Sequence, residues 1–375
     1  MPNIKTRQTV SDISAVDWNA LHGSRQPFLS HAFLSGLESH QCLRERWGWQ
    51  ASPLTLLEGE ELVAAAPAYI KSNSHGEFVF DHAWAHAFAR TGRDYYPKLI
   101  VAVPYTPVFG PRLLAKDSSS RESLILAFEQ KASDENLSSV HINFLPESEA
   151  LTLPEYWLKR CDVQFHWQNK SGWQSFDDFL AALSHKKRKN IQQERSQVAK
   201  AGVRLRCIPG HEASDDDISA IYGFYCSTQL EKGNHPALTL EFFRYLNKTM
   251  PENVVIFLAE KNGQTIAGAY CLRSDTTLYG RYWGASENIP GLHFETCYYQ
   301  GIEYCLREGL VSFEPGAQGE HKIARGFMPV ITHSRHFMTE RVFADALRAW
   351  CDEERQHILH YRDQVLEHSP YRHVD

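Results

Sequence analysis

No stretch of the 375-residue chain reaches the roughly 18 apolar residues that a membrane-spanning helix needs. Its opening residues, MPNIKTRQTVSDISAVDW, lack the apolar core of a secretory signal. The eight cysteines (42, 161, 207, 226, 271, 297, 305 and 351) stand singly, and none forms a C-x-x-C pair. Zinc ribbons and dithiol redox motifs are therefore unsupported. Scattered thiols without a signal are expected in a reducing, cytoplasmic setting. G-x-S-x-G, P-loop and H-E-x-x-H patterns are also missing, which removes their chemistries from the sequence-level candidates. Excess positive charge is lacking as well. The net charge of -6 gives no global case for nucleic acid.

What is present is an ordinary globular mix, 43% hydrophobic and 22% charged. At roughly 150 residues per domain, the length suggests two domains or one double domain. The charge is uneven. Between His185 and Arg206, eight Lys or Arg face one acid, Glu194, so this segment carries +7. A local basic patch on an acidic protein points to a specific anionic ligand. Ile191 and Val198, seven apart, mark the buried side of a helix here. Arg188, Gln192 and Arg195 share another face, and Lys186 and Lys189 lie near its start. Such a set suits phosphate groups, with Arg able to make two contacts at once.

The chain also repeats itself. Leu54–Ala85 and Val254–Ser286 each read as a three-stranded meander, with bends at EGEE and at KNGQ and RSDTT. In the first, GEFVFD is the expected third strand. Each meander is followed by a helix (RESLILAFEQKAS; HFETCYYQGIEYCLREG) and a strand (VHINFL; LVSFEP). Gly309 is placed to end the second helix. Ser175 with Asp178 marks a helix start before the basic segment. The duplication predicts an α+β protein of two lobes, residues 1–160 and 161–338. Residues 339–375 are expected to form an amphipathic helix on the second lobe, its stripe of Phe343, Leu347, Trp350, Ile358, Tyr361 and Val365 interrupted by Glu354.

Five phrases carry a family resemblance: PFLSHAFLSGLE (27–38), KSNSHGEFVFDHAWAHAF (71–88), YYPKLIVAVPYTPVFGPRLL (95–114), HKKRKNIQQER (185–195) and FEPGAQGEHKIARGFMPVITHSRH (313–336). They resemble FemAB-like proteins of the "peptidoglycan biosynthesis/recognition" group, assigned to the GNAT acyltransferase superfamily. The resemblance spans nearly the whole chain. It implies two tandem GNAT-like lobes with mixed sheets flanked by helices. It also implies transfer of an acyl or aminoacyl group to a small-molecule or peptide amine, by direct attack without a covalent enzyme intermediate. No cofactor is implied; acyl-CoA or an aminoacyl-tRNA is the implied donor. A CoA-binding loop would read Q/R-x-x-G-x-G/A before a helix. The corresponding turn here, GASENIPGLHF, has Pro290-Gly291 and no Gly-x-Gly, which counts against CoA and leaves open a tRNA or another donor held mainly by the basic helix.

Within that frame, Lys186, Arg188 and Asn190 are the candidates for holding the anionic donor. The bend FEPGAQGEHKIARGF is the candidate catalytic segment, since acyl transfer needs a proton acceptor and donors for an oxyanion. Glu314, Glu320 and His321 are its catalytic candidates, with Gln318, Lys322 and Arg325 as substrate or anion binders. The alternative for the bend is a turn held by Glu320 pairing with Arg325 or Lys322. Tyr279, Tyr282 and Trp283 are candidate pocket walls, Tyr279 being more simply a β-core residue, with Arg281 expected on the opposite strand face. Asp81, Trp84 and Tyr105 are further substrate-side candidates. His82 and His86 have no obvious third partner for a metal. Two other functions remain open: a non-catalytic protein that grips RNA or a cell-wall precursor, and an N-acetyltransferase using acetyl-CoA.

Overall fold

A computed structural model describes residues 3–23, 26–316 and 319–372. The chain forms two compact units. One contains residues up to Val163 together with Ile331–Tyr361; the other contains Gln164–Val330 and the residues from Arg362 on.

The first unit begins with β1 (Asn3–Thr6), α1 (Ala15–Leu21), α2 (His31–Ser39), β2 (Trp49–Ala51), β3 (Leu54–Glu58), β4 (Glu61–Ala66) and β5 (Ala68–Lys71). It continues with α3 (His82–Ala89), β6 (Lys98–Val101), β7 (Leu114–Ala115), α4 (Ser118–Asp134), β8 (Ser139–Leu145), α5 (Glu147–Ala150) and the start of β9 (Leu158–Gln168). GEFVFD does not form the expected third strand. Instead Pro67, which has no N–H to give a ladder, splits LVAAAPAYIK into β4 and β5. β4 joins a sheet with β3, and β5 pairs with β6. β6 and β8 run parallel, with Ile100 opposite His141, and α4 connects them. Alternate residues of these strands, Leu99, Val101, Val140 and Ile142, enter a core with Leu54, Leu56 and Phe128. The other face carries Lys98, Ile100 and His141.

The second unit contains α6 (Phe176–Ala182), α7 (His185–Lys200), β10 (Arg204–Pro209), α8 (Asp215–Glu231), α9 (Leu240–Thr249), β11 (Val254–Lys261), β12 (Gln264–Arg273) and β13 (Thr277–Ala285). Ser175 accepts from the Asp178 N–H and Asp178 from the Ser175 N–H, the capping box read from the sequence. Next come α10 (Leu292–Phe294), a π-turn (Glu295–Tyr299), α11 (Gln300–Glu308) and β14 (Ser312–Glu314). Gly309 closes α11 in the left-handed conformation, φ 71°. The antiparallel meander β11–β12–β13 forms as expected. β14 returns parallel to β13, with Tyr279 opposite Glu314, and its other edge takes Trp167 and Gln168 of β9. A 3₁₀ helix (Glu320–Arg325) follows, then β15 (Met328–Met338) and α12 (Arg341–Glu367).

The expected packing of α12 on the second lobe is not what forms. Ala344, Leu347 and Cys351 pack with Trp84, Phe88, Tyr95 and Leu158 of the first unit. Glu354, which interrupts the apolar stripe, receives both Nε–H and an Nη2–H of Arg160 at 2.7 Å. The Arg160 guanidinium lies 5.1 Å from the Trp84 ring centre and 5.3 Å from that of Trp350. The polar break in the stripe is therefore the helix's ionic anchor.

Candidate active site

In the second unit, the chain leaves β14 at Glu314 and turns immediately. Gly316 (φ 101°), Gly319 (φ 119°) and Gly326 (φ 91°) take backbone angles that side chains resist. Gln318 lies outside the described residues. The turn is tied from within. Lys322, 2% exposed, donates from Nζ to the Gly316 carbonyl at 2.6 Å. Arg325 donates to the His321 carbonyl at 2.7 Å and to Glu194 at 2.6 Å. Its guanidinium rests 3.3 Å from the centre of the Phe294 ring. Arg325 thus takes Glu194 of α7 as a carboxylate partner, and Glu320 is exposed.

Buried cations gather beside this turn. Arg281 on β13 has its side chain 4% exposed and lies 3.9 Å from the Glu314 carboxylate. It donates to the carbonyl oxygens of Gly280 at 2.7 Å and Glu314 at 3.4 Å. Burial, reinforced by Arg281, pulls Lys322 down to about 7. Burial, with Arg281 and Lys322 adding, holds His166 neutral down to about 3. His293 is likewise lowered to about 4 by burial, then by His321 and Arg325. His321 is also lowered, by its partial burial and then by Arg325 and Lys322. Its Nε2 lies 2.9 Å from the Tyr298 hydroxyl. The site thus offers neutral imidazoles within a field of buried positive charge, suited to proton transfer beside a developing anion.

The remaining sequence-chosen residues are dispersed. Tyr282 does not wall this site. Its ring packs 4.8 Å from Tyr225 and 5.7 Å from Phe243, within an aromatic core beneath α8 and α9. The Trp283 ring lies 5.1 Å from that of His293, tilted by 43°. Arg281 lies 5.4 Å from the Tyr279 ring, on the same face and not the opposite one. On α7, Lys186, Lys189 and Asn190 are exposed, and Arg188 is half-buried. Its Nε is buried without a hydrogen-bond partner among the described residues. Arg195 binds Glu295 at 3.0 Å and Glu303 at 2.7 Å, so it ties helices together.

Asp81, Trp84 and Tyr105 belong to the first unit. Asp81, 2% exposed, accepts from Ser74 (2.5 Å), Tyr95 (2.6 Å) and Lys98. Trp84 is 1% exposed and packs in the core. Tyr105 packs 5.3 Å from Trp49, beside Gly76. Asp81 and Trp84 are fully enclosed, so neither offers a surface to substrate.

Sequence reading missed His166, His293 and Glu194, and gave Arg281 no site role. For His166 a signal existed: Gln164, His166 and Gln168 alternate with apolar residues along β9, a polar stripe of period two. The turn GASENIPGLHF has its own explanation. Gly291 sits at φ 84°, and a Cβ there would stand 2.8 Å from the Glu194 carbonyl oxygen. Close approach of α7 requires this glycine.

None of the curated proteins compared with the chain matches it. Among solved structures, it is similar to FemX at 10% identity and a TM-score of 0.53, covering 90% of this chain and 98% of that one. A conserved protein of unknown function from Bacteroides thetaiotaomicron VPI-5482 aligns at 11% identity and a TM-score of 0.49, covering 89% and 99%. A tandem GNAT protein from the clavulanic acid biosynthesis pathway aligns at 9% identity and 0.46, covering 91% and 99%. At 10% identity, the likeness to FemX is one of fold. The expected α+β architecture, two compact units with mixed sheets flanked by helices, is the fold of this chain, and it is the fold shared with FemX. The FemAB-like family model, described as peptidoglycan biosynthesis/recognition, matches residues 9–373, and the chain belongs to that family.

Proposed function

We propose that the protein joins an acyl or aminoacyl group to an amine, with the reaction centred on the Glu314–Phe327 turn. Family and fold support an acyl- or aminoacyl-transferase in general terms. The observation that carries the finer reading is His321, kept neutral beside Lys322 and Arg325 and hydrogen-bonded to Tyr298. With Nε2–H donating to the Tyr298 oxygen, Nδ1 is left with a free electron pair. The amine nitrogen attacks the carbonyl carbon of the donor and a C–N bond forms. The carbonyl π pair moves onto oxygen, where Lys322 and Arg281 supply positive charge. His321 Nδ1 takes the proton from nitrogen. As the tetrahedral species collapses, the bond to the leaving group breaks and that group takes the proton from His321. Glu314 sets the position of Arg281. Lys186, Arg188 and Asn190 remain the proposed grip on an anionic donor, supported by the Arg188 Nε–H, which has no hydrogen-bond partner among the described residues.

The test is to supply acyl-CoA and aminoacyl-tRNA donors in parallel with lysine-bearing cell-wall peptides and simple amines, and to detect amide products by mass spectrometry. The expected result is one productive donor class, with a His321→Ala variant at least ~100-fold slower. Unchanged transfer in that variant, or no amide with either donor class, would overturn the reading.

A further inference from the structure

Residues 370–372 belong to the second unit and form a short strap across it. The Ser184 N–H donates to the Pro370 carbonyl at 2.9 Å, and the Arg372 N–H donates to the Ala182 carbonyl at 3.0 Å. Leu183 and Tyr371 face each other in this antiparallel bridge. Arg372 adds its Nε–H to the Leu183 carbonyl at 3.1 Å. The strap therefore holds the junction where α6 ends and α7 begins. Leu183 is fully buried, and Ser184 is the residue that precedes the first turn of α7.

From this strap the Tyr371 side chain reaches the Glu314–Phe327 turn. Its hydroxyl donates to the Gly326 carbonyl at 2.6 Å. Its ring lies nearly parallel to that of Trp173, with centres 5.7 Å apart and planes 15° apart. Trp173 in turn packs 5.5 Å from Phe179 of α6. Gly326 is buried, so its carbonyl needs a partner within the protein. Burial raises the Tyr371 hydroxyl, which keeps its proton and stays a donor. A Cβ at position 326 would stand 2.7 Å from the Phe179 ring and 3.0 Å from the Tyr371 oxygen. Close approach of the strap, as well as the backbone angle, requires glycine there.

Gly326 lies between two residues that both lead to His321. On one side, Arg325 donates to the His321 carbonyl at 2.7 Å and to Glu194 at 2.6 Å. On the other, the Phe327 N–H donates to the Lys322 carbonyl at 3.2 Å. The Phe327 ring packs 5.3 Å from that of Tyr298, whose hydroxyl lies 2.9 Å from His321 Nε2. We propose that Tyr371 is a positioning residue for the transfer site: by holding the Gly326 carbonyl it fixes Arg325 and Phe327, and through them the His321 imidazole. The same strap ties this turn to the start of α7, the helix proposed to grip the donor. Tyr371 itself meets none of the proposed catalytic side chains. The role rests on the reading of the turn as the reaction centre, and small displacements of a catalytic group cost rate steeply.

The experiment uses the full chain and Tyr371→Phe, which keeps the ring on Trp173 and removes only the hydroxyl. Hydrogen–deuterium exchange read by mass spectrometry follows the turn without any transfer reaction. Exchange across residues 320–327 is expected to quicken about tenfold, the effect of one lost hydrogen bond. Exchange across residues 184–190 is expected to stay at the parent rate, because the backbone bridge to Leu183 remains. Tyr371→Ala, which also removes the ring, is expected to loosen both segments. With the donor class productive for the parent, Tyr371→Phe is expected to lower kcat about tenfold at unchanged KM for the amine. The ascending limb of its pH profile is expected to move upward as Arg325 loosens, a change that a purely structural role would not produce. Parent-like exchange across the turn in Tyr371→Phe would overturn the proposal, whether or not the protein is a transferase. Faster exchange with parent-like kcat and pH limb would also overturn it, since the hydroxyl would then serve folding alone. A parent that forms no amide would overturn the reaction-centre reading and the positioning role with it.

Discussion

The Nδ1 atoms of His141 and His336 lie 2.6 Å apart inside the first unit, with both side chains buried. Two imidazole nitrogens at that distance share one proton: one ring donates and the other accepts. The outer nitrogens are also engaged, His141 Nε2 with Ser139 at 2.7 Å and His336 Nε2 with Ser334 at 2.9 Å. Desolvation, followed by nearby positive charge, holds His141 down to about 3 and His336 well below its ordinary value. Folding therefore takes up neutral rings, while the unfolded chain binds protons below about 6.5. The pair's contribution is complete above 6.5 and is lost as pH falls toward 3. Other buried groups titrate in the opposite sense. Glu77, raised to about 7 by burial, favours the folded state as pH falls from 7 to its unfolded value. The prediction is accordingly a difference. The stability of the parent minus that of His141→Asn should shrink by up to ~1.4 kcal/mol per pH unit between pH 6.5 and 4.5. Urea unfolding followed by tryptophan fluorescence measures it, and a pH-independent difference would contradict the neutral-pair assignment.

The transfer site makes a kinetic prediction of the same kind. His321 acts as a base only when neutral, and its lowered value keeps it so through most of the physiological range. Lys322 stabilises an oxyanion only when charged, and it loses its proton near 7. The rate should rise as His321 deprotonates and fall again as Lys322 does, a bell-shaped profile. Lys322→Arg keeps the charge at all accessible pH and should abolish the descending limb. The acceptor amine titrates equally in both enzymes, so the ratio of their rates isolates Lys322. A constant ratio from pH 6 to 9 would remove Lys322 from the mechanism.

Local signals were legible and long-range ones were not. The capping pair Ser175–Asp178, the left-handed Gly309 and the meander β11–β13 depend on neighbours in sequence, and each formed as read. The third strand of the first meander failed because Pro67, within the second run, diverts the chain between sheets. The partner of α12 was misassigned because an amphipathic stripe gives a buried face but not what covers it. At the candidate site, the turn itself was visible as a dense run of charge and glycine. The convergence of His166 and Arg281 upon it was not, because it depends on β14 pairing with β9 on one side and with β13 on the other, the first across more than a hundred residues of chain. Asp81 and Trp84 were chosen for their chemistry, yet burial assigns them to an internal network.

The exposed cations of α7 are separable from folding. Lys186 and Lys189 are solvent-exposed, so Lys186→Glu with Lys189→Glu should change stability by no more than ~0.5 kcal/mol each. If the donor is a tRNA held at phosphates, the double variant should bind it more weakly at every salt concentration. The slope of log K against log salt should also fall by about 2. Filter binding between 50 and 200 mM salt would show this. An unchanged slope would mean that the helix does not meet the phosphate backbone.

Glu194 ties α7 to the turn, and this link is predicted to support both folding and transfer. Its carboxylate receives Arg325 at 2.6 Å and the Tyr299 hydroxyl, while the Arg325 guanidinium rests on Phe294. The side chains are 22% and 10% exposed, so water screens the pair little. Glu194→Ala leaves a guanidinium and a phenol without their partner, and breaking such a pair costs about 2–4 kcal/mol. Arg325→Ala should cost a similar amount, since it also uncovers Phe294. Because both substitutions break the same contact, their effects should not add. A double-mutant cycle should return a coupling of about 1–3 kcal/mol. Arg325 also raises the local field that keeps His321 neutral. Its loss should let His321 hold its proton to higher pH, shifting the ascending limb of the rate profile upward. Glu194→Gln keeps the shape and removes the charge, so it separates the two roles. It should recover part of the lost stability while leaving Arg325 less constrained. Additive destabilisation in the cycle, together with an unshifted ascending limb in Arg325→Ala, would show that the contact is mere packing and that His321 is set by burial alone.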